Sequence, residues 1–223
     1  MKNYFVTGTD TGCGKTVASS CLVRALDADY WKPIQTGTIT EQPDQLIVQK
    51  LTGLSKDRFH SSAYSFLEPL SPLEAASREK KKITIERIKI PQSSRAIIVE
   101  GAGGVLVPIT KKTFMVDLAQ RIDLSVILVC RTALGTINHT LLSIEALRKR
   151  EVDLVGVIFS GKINKWVVQT IKRITNVNVL GEIPTIKPLS RKGIDNFINT
   201  NNLSLIHISE PTRRTPISYA VFC

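Results

Sequence analysis

The chain has no apolar run long enough to cross a membrane and no cysteines or histidines at metal-binding spacing. Its four cysteines, Cys13, Cys21, Cys130 and Cys223, show no CxxC and no His/Cys cluster. That excludes a disulfide framework and a zinc site as organising features, and it suits a reduced, cytoplasmic protein. The three histidines, His60, His139 and His207, form no pair at catalytic spacing. His139 reads as a helix-start residue and the other two as surface. No internal repeat is visible. The first residues run directly into a strand and a Gly-rich loop, so no signal peptide is expected.

Acidic residues are scarce relative to basic ones: 30 Lys and Arg against 19 Asp and Glu give a formal net charge of +11. Such an excess is compatible with nucleic-acid binding. Much of it, however, sits in short groups: Lys80-Lys81-Lys82, Lys111-Lys112 and Arg148-Lys149-Arg150. Aromatic residues do not interleave with these groups as they would on a base-stacking surface. A solvated basic exterior with a pocket for polyanionic small molecules is the favoured reading.

What is present is organised around Gly8-Thr9-Asp10-Thr11-Gly12-Cys13-Gly14-Lys15-Thr16. Tyr4-Phe5-Val6 before it reads as a buried strand. Val17 to Leu26 after it reads as a helix, with Val17, Cys21, Leu22 and Leu26 apolar and no internal Gly or Pro. A strand, a Gly-rich loop and a helix opening on Lys-Thr make a phosphate-binding loop. Free backbone N–H groups and the helix dipole favour an anion there. Gly12 and Gly14 let the backbone approach phosphate oxygens. Lys15 reaches the β/γ-phosphates, and the Thr16 hydroxyl can sit on Mg²⁺. Against the general pattern, Gly8 comes one residue early and Thr9 holds the expected Gly position. Cys13 lies inside the loop, as a small spacer or as a thiolate stabilised by it.

The 223 residues suit one α/β domain. Ala28 to Trp31 is a short strand running into a loop, Lys32 to Gly37. Asp44 to Leu51 is a helix led by Pro43 and stopped by Gly53. Residues 54–82 are the least regular, with a helix from Leu73. Ile83 to Ile90 reads as another helix. Ala96 to Val99 is a buried strand ending in Glu100-Gly101-Ala102-Gly103-Gly104. Met115 to Arg121 is a helix, Ser125 to Cys130 a strand, His139 to Arg150 a helix and Leu154 to Phe159 a strand. Lys165 to Ile174 is a helix, and Val177 to Leu180 is a last short strand before Gly181-Glu182-Ile183-Pro184. Apolar strands alternating with helices predict a mostly parallel sheet covered on both faces, with ligands at the edge where the strands end. Leu203 to Cys223 breaks the pattern and resembles a translated sequencing-library adapter; it is set apart from residues 1–202.

Several residues beside these strand ends can carry chemistry. Glu100 follows a buried strand opposite the phosphate loop and reads as a holder of Mg²⁺, or else as a capping or ion-paired carboxylate. The glycines at 101, 103 and 104 would admit a ligand to the backbone, or simply turn the chain. Asp44 reads equally as a further metal oxygen and as a helix-start carboxylate. Lys32 could neutralise phosphoryl charge or be a surface lysine. Hard oxygen donors together with phosphates suit Mg²⁺.

These residues together resemble the dethiobiotin synthetase family, the ATP-dependent ligases of biotin synthesis. The resemblance rests on Tyr4 to Thr11 with Gly14-Lys15-Thr16, Lys32-Pro33 with Thr36-Gly37, and Val99 to Gly104. It extends to Gly135-Thr136-Ile137-Asn138-His139 and to Gly181 to Pro184, covering about residues 1–195. The early Gly8 is the family's own form. The resemblance implies a P-loop NTPase fold of the nitrogenase iron protein kind, working as a homodimer on 7,8-diaminopelargonic acid, CO₂ and Mg-ATP. It implies that Thr16, Asp44 and Glu100 hold Mg²⁺, and that Lys15 and Lys32 stabilise the transferring phosphoryl group and a carbamate. Thr11 and Thr36 would bond the substrate or intermediate. Gly12, Cys13, Gly14, Val17, Gly101, Gly103, Ser160 and Pro184 would join the nucleotide site. Gly135 and Asn138 would present a helix N-terminus to the substrate carboxylate across the dimer interface.

Two departures stand out. The family often has Glu or another non-Gly residue at Gly12. Members that read adenine commonly carry Asn where this chain has Ser160, and one hydroxyl cannot pair with both a donor and an acceptor of a base edge as Asn can. The rival from another class is a partitioning-type ATPase switch of the same fold. Such proteins commonly carry an additional Lys early in the loop, where Thr9 or Asp10 stands here, and lack the Lys32-Pro33 segment. An amidoligase would need a further glutaminase domain.

Overall fold

The computed structural model describes residues 2–200, so the expectations for Leu203 to Cys223, His207 among them, lie outside the described residues. The chain opens on β1 (Tyr4–Gly8) and passes through the Gly-rich loop into α1 (Lys15–Ala25). It continues with β2 (Asp29–Trp31), β3 (Ile34–Gln35) and α2 (Asp44–Thr52). Then come β4 (Phe59–His60), β5 (Tyr64–Ser65), α3 (Pro72–Arg78) and β6 (Ile97–Gly104). The second half is α4 (Met115–Arg121), β7 (Ser125–Arg131), α5 (Thr136–Lys149), β8 (Leu154–Gly161), α6 (Lys165–Thr175), β9 (Val179–Pro184) and α7 (Arg191–Thr200).

Among the described residues, seven strands form one sheet in the order β4-β2-β6-β1-β7-β8-β9, with every pair parallel. A small second ladder joins β3 to β5. Alternation along each strand divides the core in two. Tyr4 and Val6 of β1 pack with Leu22 of α1, Val48 of α2 and Ile194 and Phe197 of α7. Phe5 points the other way, with Met115 of α4, Ile144 and Leu147 of α5 and Ile171 of α6. The central strands are apolar on both sides because both faces are covered. No helix among the described residues is long and apolar enough to cross a membrane.

Several boundaries differ from those expected. Ile83 to Ile90 is not a helix; it holds only a 3-10 turn, Ile85–Arg87. The run is rich in β-branched residues and Pro91 follows it, so burying Ile83, Ile85 and Ile88 wins over continuous helix. The expected loop at Lys32 to Gly37 contains β3. β6 and β9 run on to Gly104 and Pro184, placing Glu100 and Glu182 within strands rather than after them. α5 begins at Thr136, so His139 lies one turn inside it. α7 was not foreseen, although Ile194, Phe197 and Ile198 have helical spacing.

His60 is a correction. It is not on the surface but partly buried in β4, 3.4 Å from Asp29 Oδ2, and its Nε2 makes no hydrogen bond. Arg58 serves Asp29 instead, with Nε 2.5 Å from Oδ1, and Ser93 Oγ donates to Oδ2 at 2.6 Å. This closed polar cluster is at the start of β2, at the opposite end of the sheet from the phosphate loop.

Gly101 lies inside β6, and its position is set by packing. A Cβ there would meet Phe5 Cε1 at 2.9 Å and Met115 Cγ at 3.0 Å. Gly101→Ala is therefore expected to cost about 1–3 kcal/mol by overpacking. Thermal unfolding should show a melting temperature lower by several degrees; an unchanged value would mean that Phe5 and Met115 yield freely.

Candidate active site

β1 ends where the chain turns across the sheet edge into α1. Gly8 must be glycine for a steric reason: a Cβ there would meet Cys13 Sγ at 2.3 Å and Lys15 Cδ at 3.3 Å. Cys13 is buried beneath the loop and acts as its spacer. Gly14 begins α1 with φ 96°, which a side chain would strain, and a Cβ there would meet Ser160 Oγ at 2.3 Å. No side chain caps α1 and no acidic residue stands in its first turn. Its first N–H groups are thus left for an anion. The Lys15 ammonium arches over the loop, donating to the Asp10 carbonyl at 2.9 Å.

Four side chains from separate stretches of the chain meet beside Lys15. The Thr16 hydroxyl stands 2.8 Å from Asp44 Oδ1 and 3.1 Å from Glu100 Oε1, and its single proton serves one at a time. Lys32 Nζ lies 2.6 Å from Asp44 Oδ2 and 3.3 Å from Glu100 Oε1. Tyr30 donates its hydroxyl to Glu100 Oε2 at 3.1 Å. Gln35 accepts from the Asp44 backbone N–H at 3.2 Å, holding the start of α2. Burial pushes the Asp44 carboxyl up, but the Lys32 charge and its hydrogen bonds outweigh this and hold it below the usual carboxylate range. Burial likewise works against the charge on Lys32, yet Glu100 and Asp44 together raise its pKa and keep it an ammonium. Burial, and then the Glu100 charge, raise Tyr30 well above an ordinary phenol, so it remains a donor.

A cleft of about 660 Å³ opens over this cluster. It is lined by Thr11, Gly12, Gly14, Lys15, Thr16, Val17, Lys32, Thr36, Asp44, Glu100 and Gly103, all singled out from the sequence. Gln35, Glu41, Ile47 and Leu189 also line it and carried no sequence signal of their own. Neither Cys13 nor Gly101 lines it: Cys13 is buried under the loop, and Gly101 packs against Phe5 and Met115 on the other face of the sheet. Ser160 touches the loop at Gly14, and Pro184 pairs in register with Gly161 at the ends of β9 and β8. Gly135 and Asn138 stand apart, at the uncapped start of α5, outside the cleft of their own chain.

Two carboxylates and a hydroxyl are hard donors of the kind Mg²⁺ takes. Among the described residues, no three His, Cys, Asp or Glu side chains could hold a metal ion together. The set thus fits a metal that arrives with phosphate oxygens, as Mg²⁺ does with a nucleotide, rather than one held in a protein-only cage.

A parallel sheet, an uncapped helix behind a Gly-rich loop and a Lys-Thr pair facing two carboxylates define a P-loop nucleotide-binding protein. A family model described as an AAA domain matches residues 2–193. The chain belongs to the ATP-dependent dethiobiotin synthetase family. It is 41% identical over 210 residues to the ATP-dependent dethiobiotin synthetase BioD of Bradyrhizobium diazoefficiens, covering 92% of this chain and 99% of that protein. With BioD of Paramagnetospirillum magneticum the identity is 47% over 183 residues, 82% of this chain and 88% of that one. With the biotin biosynthesis bifunctional protein BioCD of Bordetella avium it is 43% over 194 residues, 87% of this chain but only 42% of that longer protein. Among solved structures, a ParA family ATPase from Chlorobium tepidum is similar with a TM-score of 0.55 at 13% identity, covering 95% of each chain. That likeness is one of fold.

Lys32→Met tests the ion-pair cluster. It leaves the Asp44 and Glu100 carboxylates close together without a cation, an expected loss of roughly 3 kcal/mol at neutral pH. Because the native Asp44 carboxyl is held low by Lys32, their pairing contributes above the unfolded carboxyl pKa, about 4, and is lost as pH falls through the lower native value. The stability gap between wild type and variant in urea should therefore be widest near neutrality and close in acid. Equal stability at neutral pH would show that the cluster contributes nothing.

Proposed function

We propose that the chain is a cyclo-ligase that makes dethiobiotin from 7,8-diaminopelargonic acid and CO₂ with Mg-ATP, in the cytoplasm and as a homodimer. One observation carries this reading: Lys15 and Thr16 at the start of α1, Lys32 just after β2, Asp44 of α2 and Glu100 of β6 converge on one cleft. The relatives named for dethiobiotin synthesis support it. One amine of the substrate adds CO₂ and loses a proton to give a carbamate. A carbamate oxygen attacks the γ-phosphorus of ATP and ADP leaves, giving a carbamic-phosphoric anhydride. The second amine then attacks the carbonyl carbon and gives up a proton, phosphate leaves and the ureido ring closes.

The protein's part is positioning and charge neutralisation. Lys15 and Lys32 face the transferring phosphoryl group and the carbamate. Thr11 and Thr36 hydrogen-bond the substrate or the intermediate. The backbone of Gly12 to Val17 cradles the phosphates. Thr16, Asp44 and Glu100 would hold Mg²⁺, which when bound shields phosphate charge. Gly135 and Asn138 we assign to the substrate carboxylate of a second copy. An open groove of about 430 Å³ between Gly104–Pro108 and α5, with Leu106 and Leu142 exposed, supports docking of that copy. A partitioning-type switch is supported by fold likeness alone.

Incubation with diaminopelargonate, bicarbonate and Mg-ATP should yield dethiobiotin, ADP and phosphate. Lys15→Ala should stay folded and lose nearly all turnover; a folded variant with unchanged turnover would remove the phosphate-loop assignment. The base is expected to be read weakly, because Ser160 offers one hydroxyl and each good hydrogen bond contributes on the order of 1 kcal/mol. GTP or CTP should then fall within about ten-fold of ATP in kcat/KM, and Ser160→Asn should widen the gap. Strong rejection of GTP and CTP by the wild type would show that other groups, such as backbone near Pro184, read the base.

A further inference from the structure

Tyr30 is fully buried in the core between the sheet and α1 and α2. Its ring meets that of Phe59 at 6.1 Å between centroids, tilted by 50°. A phenylalanine would make all of these apolar contacts. The hydroxyl therefore needs its own explanation, since a buried polar group is costly unless it is hydrogen-bonded. Its partner is Glu100 Oε2. β2 and β6 pair with Tyr30 opposite Ile98, so Glu100 is two residues further on, on the same face and nearer the cleft. The register thus aims the phenol along the sheet at the carboxylate.

Glu100 is only 1% exposed, and its two oxygens have different company. Oε1 meets Thr16 Oγ1 and Lys32 Nζ, at the cleft. Oε2 is tied back into the core by Tyr30. Tyr30 itself does not line the cleft, so contact with nucleotide or amine is not its role.

We infer that Tyr30 is a positioning residue for the Mg²⁺–nucleotide site: its hydroxyl fixes the rotation of the Glu100 carboxylate so that Oε1 is presented beside Thr16. This rests on Thr16, Asp44 and Glu100 being the metal donors. Groups that hold metal ligands from behind typically alter metal affinity by about 10–100-fold. Tyr30→Phe removes that hold without changing the packed volume.

The test is Mn²⁺ binding followed by electron paramagnetic resonance, with the full chain saturated with a non-hydrolysable ATP analogue. Wild type, Tyr30→Phe and Glu100→Gln are compared, with thermal unfolding alongside. The expected result is Mn²⁺ affinity weakened by about ten-fold or more in Tyr30→Phe, in a folded protein. In turnover, the half-saturating Mg²⁺ concentration should rise similarly, kcat should recover at high Mg²⁺, and the amine KM should stay within about two-fold. If Tyr30→Phe binds Mn²⁺ like wild type while Glu100→Gln is impaired, the inference is overturned and the metal site stands. If Glu100→Gln also binds normally, the metal reading fails and the inference with it. A Tyr30→Phe variant that does not fold would make the hydroxyl a structural group and equally overturn the inference.

Discussion

A carboxylate held almost out of water in a central strand is the constraint around which this site is built. Glu100 on β6 needs compensation, since a buried charge is costly unless paired and hydrogen-bonded. The compensation comes from three directions: the Tyr30 hydroxyl from β2, the Lys32 ammonium just beyond it, and the Thr16 hydroxyl from α1. Asp44, at the start of α2, completes the balance by sharing Lys32. Each partner also ties its own element to β6, so the electrostatics of the site and the placing of β2, α1 and α2 against the sheet are one problem.

The phosphate loop obeys a steric constraint of its own. Gly8 leaves room for Cys13 and the Lys15 stem, and Gly14 leaves room for Ser160 while adopting a left-handed backbone. The result is a helix whose first turn is free of both side-chain caps and acidic residues. The basic groups elsewhere serve no such geometry. Lys80-Lys81-Lys82 and Lys111-Lys112 are exposed, as a solvated exterior requires.

Fold and chemistry separate clearly in this chain. The fold is shared with a ParA family ATPase at 13% identity, where only architecture is comparable. The placement of Lys32 against two carboxylates belongs to the strand end of β2 and to α2. The ligase reading therefore rests on side chains and on relatives above 40% identity, not on topology.

By itself the sequence determined the class of fold, because near-continuous apolar strands alternating with helices can bury themselves in few ways. It also determined the phosphate loop, since its glycines, Lys15 and Thr16 are neighbours in the chain and their chemistry is local. Lys32, Asp44 and Glu100 were legible as candidates, each with a bland alternative beside it. Only the tertiary structure decided that they meet, because the distances between them depend on strand order and register across 84 residues of chain from Thr16 to Glu100. The hydroxyl of Tyr30, the inward turn of His60 and the packing role of Gly101 were illegible for the same reason. What a side chain does when buried is set by the partner that the fold brings to it, and that partner is far away in the chain.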